Sequence, residues 1–131
     1  MDDFYRDFIL DHYRNPRNFG SLENATATAE DLNPLCGDTI RMDLRVNDAG
    51  VVEDVRFSGK GCAISQASAS MLTDELIGKS LDDVKKLDKK FILDLLGIPL
   101  GPSRIKCALL PLKVIKAGVY GITAWPDEDE E

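Results

Sequence analysis

Three cysteines are the residues of this chain best suited to chemistry, and each lies at a break between patterned segments. Cys36 lies in a Pro- and Gly-containing loop, two residues before Asp38, so a thiolate and a carboxylate can address one centre. Cys62 follows the turn at residues 59–61 and opens a predicted helix, where unpaired amides and the helix dipole stabilise a thiolate.

Cys107 lies early in the last predicted helix, beside Lys106, whose ammonium also stabilises a thiolate. We therefore predict that all three thiols ionise more readily than free cysteine. With Asp38 they supply the four ligands that zinc or a [2Fe–2S] cluster requires. Their wide separation does not match a zinc knuckle, so spacing alone is equally compatible with three unrelated cysteines acting as small hydrophobic residues.

Other chemistries fit the sequence less well. The single imidazole, His12, falls on or beside the apolar face of a predicted first helix, which favours a packing role over a metal ligand. A hydrolase triad would also need a nucleophile elbow, and no segment resembles one. The turn at residues 59–61 is too short for a phosphate-binding loop.

Composition restricts the partners and the compartment. The chain has 131 residues and a net charge of −7, and five of its acids form the segment Asp127–Glu131. The remaining body is close to neutral, which argues against nucleic-acid binding because phosphate contacts need clustered cations. No apolar run is long enough to span a membrane, and the N-terminus lacks a basic signal sequence, so we expect a cytoplasmic protein.

A short helix and a set of strands occupy the first half of the chain. Apolar spacing predicts a helix over residues 3–14, ended by Asn15-Pro16. Strict alternation over residues 39–46 predicts a half-buried strand, and the turn residues 47–50 lead into a return strand over 51–57. Residues 25–30 are a candidate third strand.

Helices dominate the second half. Small and apolar residues predict a helix from Cys62 to Gly78, Ser80 caps a second one, and a third ends at Gly97. Ser103 is a candidate cap for a final helix, which Pro111 should kink or restart. We predict an α+β fold, an antiparallel sheet covered by helices on one face, in one domain over residues 1–124. Residues 125–131 are expected to be a disordered acidic tail, with binding to a basic partner surface as the alternative.

Four ordered motifs resemble the U-type iron–sulfur cluster assembly proteins, the IscU/SufU/NifU N-terminal family, over nearly the whole chain. The motifs are Asp11-His12-Tyr13-Arg14-Asn15-Pro16-Arg17-Asn18, Asn33-Pro34-Leu35-Cys36-Gly37-Asp38, the pair Gly61-Cys62-Ala63-Ile64-Ser65 and Ala67-Ser68-Ala69-Ser70, and Arg104-Ile105-Lys106-Cys107. The resemblance implies a three-stranded sheet packed with helices.

The resemblance also implies a loop-lined rim where Cys36, Asp38, Cys62 and Cys107 hold a transient [2Fe–2S] cluster. Sulfur would come as persulfide from a cysteine desulfurase, and the finished cluster would pass to apo acceptor or carrier proteins. Within this hypothesis Cys107 is the first sulfur acceptor, Cys36 is the alternative acceptor, and Lys106 stabilises the sulfur charge.

Two departures from the family pattern keep an alternative open. Lys106 precedes the third cysteine as in SufU-like members, whereas IscU-type scaffolds have histidine; yet the SufU-like insertion between the second and third cysteines is missing. A zinc-dependent sulfurtransferase that activates a desulfurase, with Zn²⁺ on the same four groups, is therefore the alternative, and a purely structural zinc domain is a third reading. Residues 98–103 also lack the Leu-Pro-Pro-Val-Lys segment through which IscU-type scaffolds engage a dedicated Hsp70 chaperone, so that partnership is not expected.

Overall fold

The computed structural model describes residues 3–33, 37–122 and 125. These residues form five helices and three strands, in an order that begins with one helix, continues with the strands and ends with four helices. The elements are α1 (Asp3–Arg14), β1 (Ala27–Leu32), β2 (Thr39–Val46), β3 (Val52–Lys60), α2 (Ala63–Leu76), α3 (Leu81–Lys85), α4 (Lys89–Leu96) and α5 (Pro102–Tyr120).

The three strands form one antiparallel sheet with β2 in the centre. The bounds of β2 match the predicted strand, while β3 runs beyond its predicted end at residue 57 to Lys60, which pairs with Thr39. Gly59 permits this extension, because a Cβ at that position would lie 2.2 Å from the Thr39 carbonyl oxygen. The extended pairing brings the start of β2 and the end of β3 to the same corner of the sheet.

A side chain closes the turn between β2 and β3. The Asn47 carboxamide oxygen accepts hydrogen bonds from the backbone N–H groups of Ala49 and Val51, at 2.9 and 3.0 Å. Gly50 adopts a φ of +77°, which favours glycine. The predicted hairpin between the two strands is therefore confirmed.

Helices cover one face of the sheet, as predicted. The inward side chains of the strands are completely or almost completely buried: Ile40, Met42, Leu44, Val55 and Phe57. Helices α2 and α5 pack on them and bury their own apolar residues, among them Leu72, Leu76, Leu109 and Leu112. The core thus lies between the sheet and these two helices, with the hydrophobic effect as its main stabilising term.

A carboxylate is also buried on the central strand. Asp43 is only 2% exposed. It accepts hydrogen bonds from the Leu22 amide and the Thr28 hydroxyl, both at 3.0 Å, and from Arg41 Nε at 3.2 Å. These donors offset the cost of burying a charge and fasten the segment before β1 to the sheet.

The structure confirms the predicted bounds of α1, the predicted beginning of α3 and the predicted end of α4. Helix α1 matches the predicted residues 3–14. Ser80 caps α3 by accepting a hydrogen bond from the Asp83 amide at 3.2 Å, and Gly97 ends α4 in a left-handed conformation with φ of 70°. Among the described residues, no helix is both long and apolar enough to cross a bilayer.

The last helix differs from the prediction at two points. It begins at Pro102 with Gly101 as the N-cap, so the prediction that Ser103 caps it is wrong. Proline suits the first helical position because its φ is already helical and its missing N–H has no partner there in any case. The helix also runs without interruption through Pro111, so the predicted restart is wrong as well, and the buried neighbours on both sides of Pro111 explain its continuity.

Candidate metal and sulfur site

One corner of the fold brings together Asp38, Cys62 and Cys107. Each offers one ligand atom, and the three atoms lie within 4.8 Å of one another. Asp38 immediately precedes β2, Cys62 is the N-cap of α2 just after β3, and Cys107 lies in α5. The pairing of Thr39 with Lys60 is the structural reason that the first two meet.

Asp38 and Cys62 are in direct contact. One carboxylate oxygen of Asp38 accepts a hydrogen bond from the Cys62 amide, and the other lies at the same distance, 3.2 Å, from the Cys62 sulfur. Asp38 is 3% exposed. Its carboxylate is thus fixed by the start of α2 with one oxygen directed at the thiol.

Gly61 makes room for this carboxylate. A Cβ at Gly61 would lie 2.4 Å from both Cγ and Oδ1 of Asp38, and the φ of Gly61 is +148°. Any other residue would displace the carboxylate and strain the backbone. The sequence showed glycine before Cys62, but it did not indicate that the glycine is needed for Asp38.

The first turn of α2 surrounds Cys62 with polar groups. The Ser65 hydroxyl donates to the Cys62 carbonyl at 3.2 Å and lies 4.0 Å from its sulfur. The Gln66 carboxamide donates to that hydroxyl at 3.4 Å. Cys62 is the N-cap of α2 and so lies at the positive end of a helix dipole, as predicted from the sequence. Ser65 and Gln66 were not recognised as site residues from the sequence.

Cys107 is buried at 4% exposure and has a polar neighbour that sequence reasoning missed. The Asn33 carboxamide donates to its sulfur at 3.8 Å. The Asn33 backbone amide donates to the Asp38 carbonyl at 2.8 Å, and its carbonyl accepts from the Gly37 amide at 2.7 Å. Asn33 thus ties the ends of the first cysteine loop to the sulfur of the third cysteine.

Cys36 lies outside the described residues, so its predicted place among the ligands stays a prediction. Both ends of its loop are described, and both are at the site, since Asn33 and Gly37 are hydrogen-bonded to each other. Chain connectivity also limits the distance, because two peptide units span at most about 7 Å between Cα atoms.

Lys106 contacts an aromatic ring. Its ammonium nitrogen lies 4.5 Å from the centre of the Trp125 ring, and the Lys113 ammonium lies 5.1 Å from the same centre. The predicted role of Lys106 in stabilising sulfur charge stays a prediction. The contact with Trp125 could not be anticipated, because it depends on the path of the chain after α5.

His12 lies in a different place. It is 5% exposed, its Nδ1 lies 2.7 Å from the Ser70 hydroxyl oxygen, and its ring meets Phe8 edge-on. Burial lowers the pKa of His12 below its usual value, and the positive charge of Arg17 lowers it further. These contacts favour the packing role that we expected over a metal ligand.

The donor set fits a thiophilic metal ion or an iron–sulfur unit. Zinc–thiolate bonds are about 2.3 Å long and the ion is tetrahedral, so two sulfurs on one ion are about 3.8 Å apart. The atoms of Asp38, Cys62 and Cys107 are within 4.8 Å of one another. Closing such a site needs shifts of at most about 1 Å, which side-chain rotation supplies.

Comparison with known proteins points to one family. The model of the NifU-like N terminal domain matches residues 4–127. A zinc-dependent sulfurtransferase, SufU, of Bacillus subtilis (strain 168) is 40% identical over 136 aligned positions, which cover 91% of each chain. The iron–sulfur cluster assembly scaffold protein IscU of Escherichia coli (strain K12) is 37% identical over 118 positions, 88% of this chain and 91% of the relative.

A solved structure agrees with these relatives. A protein of Fervidobacterium islandicum AW-1, described as a candidate iron–sulfur cluster assembly scaffold for the SUF system, superposes with a TM-score of 0.72 at 30% identity. The match covers 86% of this chain and 93% of the other. The match to the family model spans the sheet, the helices and all three cysteines, and it shows that the chain belongs to the NifU-like N-terminal domain family.

Proposed function

We propose that this protein is a scaffold for iron–sulfur cluster assembly, which builds a transient [2Fe–2S] cluster on Cys36, Asp38, Cys62 and Cys107 and transfers it to acceptor proteins. One observation carries the proposal: Asp38, Cys62 and Cys107 converge at one corner within 4.8 Å. The likeness to an IscU scaffold and to a SUF-system scaffold supports it.

The mixed ligand set suits a cluster that must be released. Thiolates are soft ligands that hold iron–sulfur units, and most stable clusters have four of them. Asp38 replaces one thiolate with a harder and more readily exchanged oxygen ligand. Because Asp38 is also held by the Cys62 amide, it can leave the cargo without losing its place in the fold.

Sulfur enters by persulfide transfer. The thiolate of Cys107 attacks the outer sulfur of a persulfide on a cysteine desulfurase, a new S–S bond forms on Cys107, and the desulfurase cysteine leaves as a thiolate. Cys107 is 4% exposed, so neighbouring side chains, among them Asn33, whose carboxamide contacts its sulfur, must move aside before this attack. Cys36 is the alternative acceptor.

The partners follow from this chemistry. A cysteine desulfurase supplies sulfur and apo iron–sulfur proteins or carriers receive the cluster, and the thiols remain reduced in the cytoplasm. A dedicated Hsp70 chaperone is not among the proposed partners, because residues 98–103 read Ile-Pro-Leu-Gly-Pro-Ser.

Anaerobic reconstitution with ferrous iron, cysteine and a desulfurase tests the proposal. We expect cluster absorption with stoichiometric iron and sulfide, and transfer to an apo-ferredoxin. The control is a Cys62→Ala variant, which should remain folded and fail to develop the absorption. Folded wild-type protein without stoichiometric cluster would reject the scaffold function.

A zinc-dependent sulfurtransferase is the second candidate, with Zn²⁺ on the same four groups and a cysteine exchanged off the metal to collect persulfide. The Bacillus subtilis relative and Lys106 favour it. That alignment has 136 positions against 131 residues in this chain, so the relative contains residues that this chain lacks.

Metal analysis and a desulfurase assay separate the two candidates. Tight zinc in protein purified without added metal, strong desulfurase activation and no cluster would favour the sulfurtransferase. A purely structural zinc domain would accept no sulfur, and mass spectrometry after desulfurase treatment would exclude it by finding an added sulfur atom.

A further inference from the structure

A cavity of about 110 Å³ opens between helices α1, α2 and α4, away from the corner that holds the candidate metal ligands. Three apolar side chains, an imidazole and two carboxylates line it: Phe8, Met71, Leu95, His12, Asp74 and Glu75. None of these six belongs to the group formed by Asp38, Cys62 and Cys107. The cavity is large enough to hold a small polar group rather than a single water molecule.

The two carboxylates give the cavity a negative charge. Asp74 is exposed, and one of its oxygens accepts a hydrogen bond from the neutral Asn18 carboxamide at 2.9 Å. Glu75 is half-buried and forms neither a hydrogen bond nor an ion pair with any described residue. The Arg17 guanidinium, whose charge reaches His12, is paired with Asp11 at 2.6 Å. Neither carboxylate of the cavity therefore has a cationic partner in the part of the chain that the structure describes.

A buried imidazole adds a polar atom to the cavity. His12 is 5% exposed, and its Nδ1 lies 2.7 Å from the Ser70 hydroxyl oxygen. Its Nε2 has no hydrogen-bond partner among the described residues. Because burial lowers the pKa of His12, the ring is neutral at pH 7 and does not repel a cation. Buried polar atoms in native proteins nearly always have partners, so this nitrogen favours a ligand in the cavity.

Polar acceptors beside apolar walls suit an organic cation on an aliphatic stem. A guanidinium is planar, is less strongly hydrated than an ammonium and presents several N–H donors to carboxylates. The methylene groups of an arginine side chain can pack against Met71 and Leu95 while the charged end stays with the carboxylates. Phe8 adds an aromatic ring, with which a guanidinium interacts favourably.

We propose that this cavity binds an arginine side chain of a protein partner, whose guanidinium pairs with Asp74 and Glu75. A side chain within a peptide fits better than free arginine, because no cationic side chain is among the described residues that line the cavity, and the α-carboxylate of free arginine would find no partner. The inference goes beyond the proposed function and does not depend on it, since the cavity is separate from the metal corner.

Nuclear magnetic resonance of the methionine methyl groups tests the inference. Met71 lines the cavity, whereas Met42 is completely buried under the sheet and serves as the internal reference. During titration of ¹³C-methyl-labelled protein with acetyl-Ala-Arg-Ala-amide, the Met71 signal should shift saturably in the millimolar range and the Met42 signal should not move. The same peptide with citrulline, which has the shape of arginine without its charge, should cause no saturable shift. A Met71 signal that ignores the arginine peptide, or responds equally to both peptides, would overturn the inference.

Charge-removing variants test the two carboxylates. Glu75→Gln should weaken the binding of the arginine peptide about two- to fivefold, and the double variant Asp74→Asn with Glu75→Gln should weaken it further, because each ion pair near the surface contributes an effect of this size. Glu53→Gln is the matched control, since Glu53 is an exposed carboxylate on β3 that does not line the cavity. It should bind the peptide like the wild-type protein. Unchanged affinity in the double variant would overturn the inference.

Free ligands decide the source of the cation. The arginine peptide should bind at least as tightly as free arginine or spermidine, and tighter binding of either free compound would overturn the assignment to a protein partner. Cluster reconstitution concerns a different part of the molecule. If reconstitution fails while the Met71 signal behaves as expected, the proposed function fails and the arginine site stands.

Discussion

Two aspartates on or beside the central strand are almost equally buried but have different neighbours. Asp43 is 2% exposed and Asp38 is 3% exposed. Asp43 accepts from the Leu22 amide, the Thr28 hydroxyl and Arg41, a fixed set of protein donors. Asp38 directs one oxygen at the Cys62 sulfur. Burial alone therefore does not distinguish the two carboxylates, whereas the groups that they face do.

The comparison extends to the regions around the two residues. Asp43 lies within the sheet, where paired strands hold its neighbours Thr28 and Arg41 in register. Asp38 lies just before β2 and contacts Cys62 at the start of α2, outside the paired strands. The first region stabilises the fold, and the second is the one to which the proposed function assigns the binding and release of a cluster.

The largest effect is expected for metal affinity, on substitution of Cys62, whose sulfur lies beside Asp38. Cys62→Ser replaces a soft ligand by a weakly acidic hydroxyl and should lower metal affinity by more than about 100-fold. Cys62 is only partly buried, so the free energy of unfolding of the metal-free protein should change by less than about 1 kcal/mol. Zinc competition with a chromogenic chelator measures the affinity. If this variant bound zinc as tightly as the wild-type protein, Cys62 would not be a ligand.

Replacing each aspartate separately by alanine should distinguish an effect on the stability of the fold from an effect on cluster transfer. Asp43→Ala leaves three donors with no acceptor and should destabilise the fold by about 2–4 kcal/mol. Asp38→Ala should cost less stability and should slow cluster transfer to an apo acceptor, because the exchangeable oxygen ligand is gone. Urea unfolding and a transfer assay measure the two effects.

The opposite pattern would contradict the comparison. If Asp38→Ala destabilised the protein as strongly as Asp43→Ala and left cluster transfer unchanged, Asp38 would be a structural carboxylate like Asp43.

Part of the fold around the two aspartates could be predicted from the sequence, because local patterns determine it. Alternating apolar residues over residues 39–46 predicted β2 with the correct bounds, because a sheet with one buried face imposes that period. The extension of β3 to Lys60 could not be predicted, because Ser58 and Gly59 have no apolar signal and pairing with β2 decides their conformation.

Three of the four predicted ligands, Asp38, Cys62 and Cys107, lie together in the structure, but the geometry of their contacts could not be predicted. Cysteines at breaks, together with four family motifs, identified the candidate ligands. The contact of Asp38 with Cys62 depends on strand register, and the contact of Asn33 with Cys107 joins residues far apart in sequence. The burial of Asp43 could not be predicted either. Its position in the alternating pattern faces outward, and the segment at Leu22 covers it.

Gly61→Ala should weaken metal binding at Asp38 and Cys62 more than an alanine substitution at another glycine with positive φ. The added Cβ would meet Asp38 at 2.4 Å, so metal affinity should fall about tenfold and the free energy of unfolding by about 1–3 kcal/mol. Gly50→Ala is the matched control, because Gly50 also has positive φ but a Cβ there meets nothing within 4 Å. It should cost about 1 kcal/mol and leave metal affinity unchanged. Equal metal affinity in both variants would refute the role of Gly61.

The smallest expected effect is a pH dependence of stability that arises at His12, away from both aspartates. Burial lowers the pKa of His12 in the folded state below its value in the unfolded chain, and Arg17 lowers it further. As the pH falls below about 6.5, the unfolded state binds a proton that the folded state does not, so the free energy of unfolding should decrease until the lowered pKa is passed. His12→Gln should remove this slope in metal-free protein. If the free energy of unfolding of the variant changed between pH 5 and 7 with the same slope as in the wild-type protein, another group would be responsible for the slope.

X-ray absorption spectroscopy of the zinc-loaded protein tests the central claim most directly, since it reports the ligand atoms around the metal. The arrangement of Asp38, Cys62 and Cys107, completed by Cys36, predicts three sulfurs at about 2.3 Å and one oxygen at about 2.0 Å. The Asp38→Ala variant should keep the three sulfurs and exchange the carboxylate for a solvent oxygen or a fourth protein ligand. A wild-type shell with fewer than three sulfurs, or one unchanged by loss of Cys62, would contradict the account.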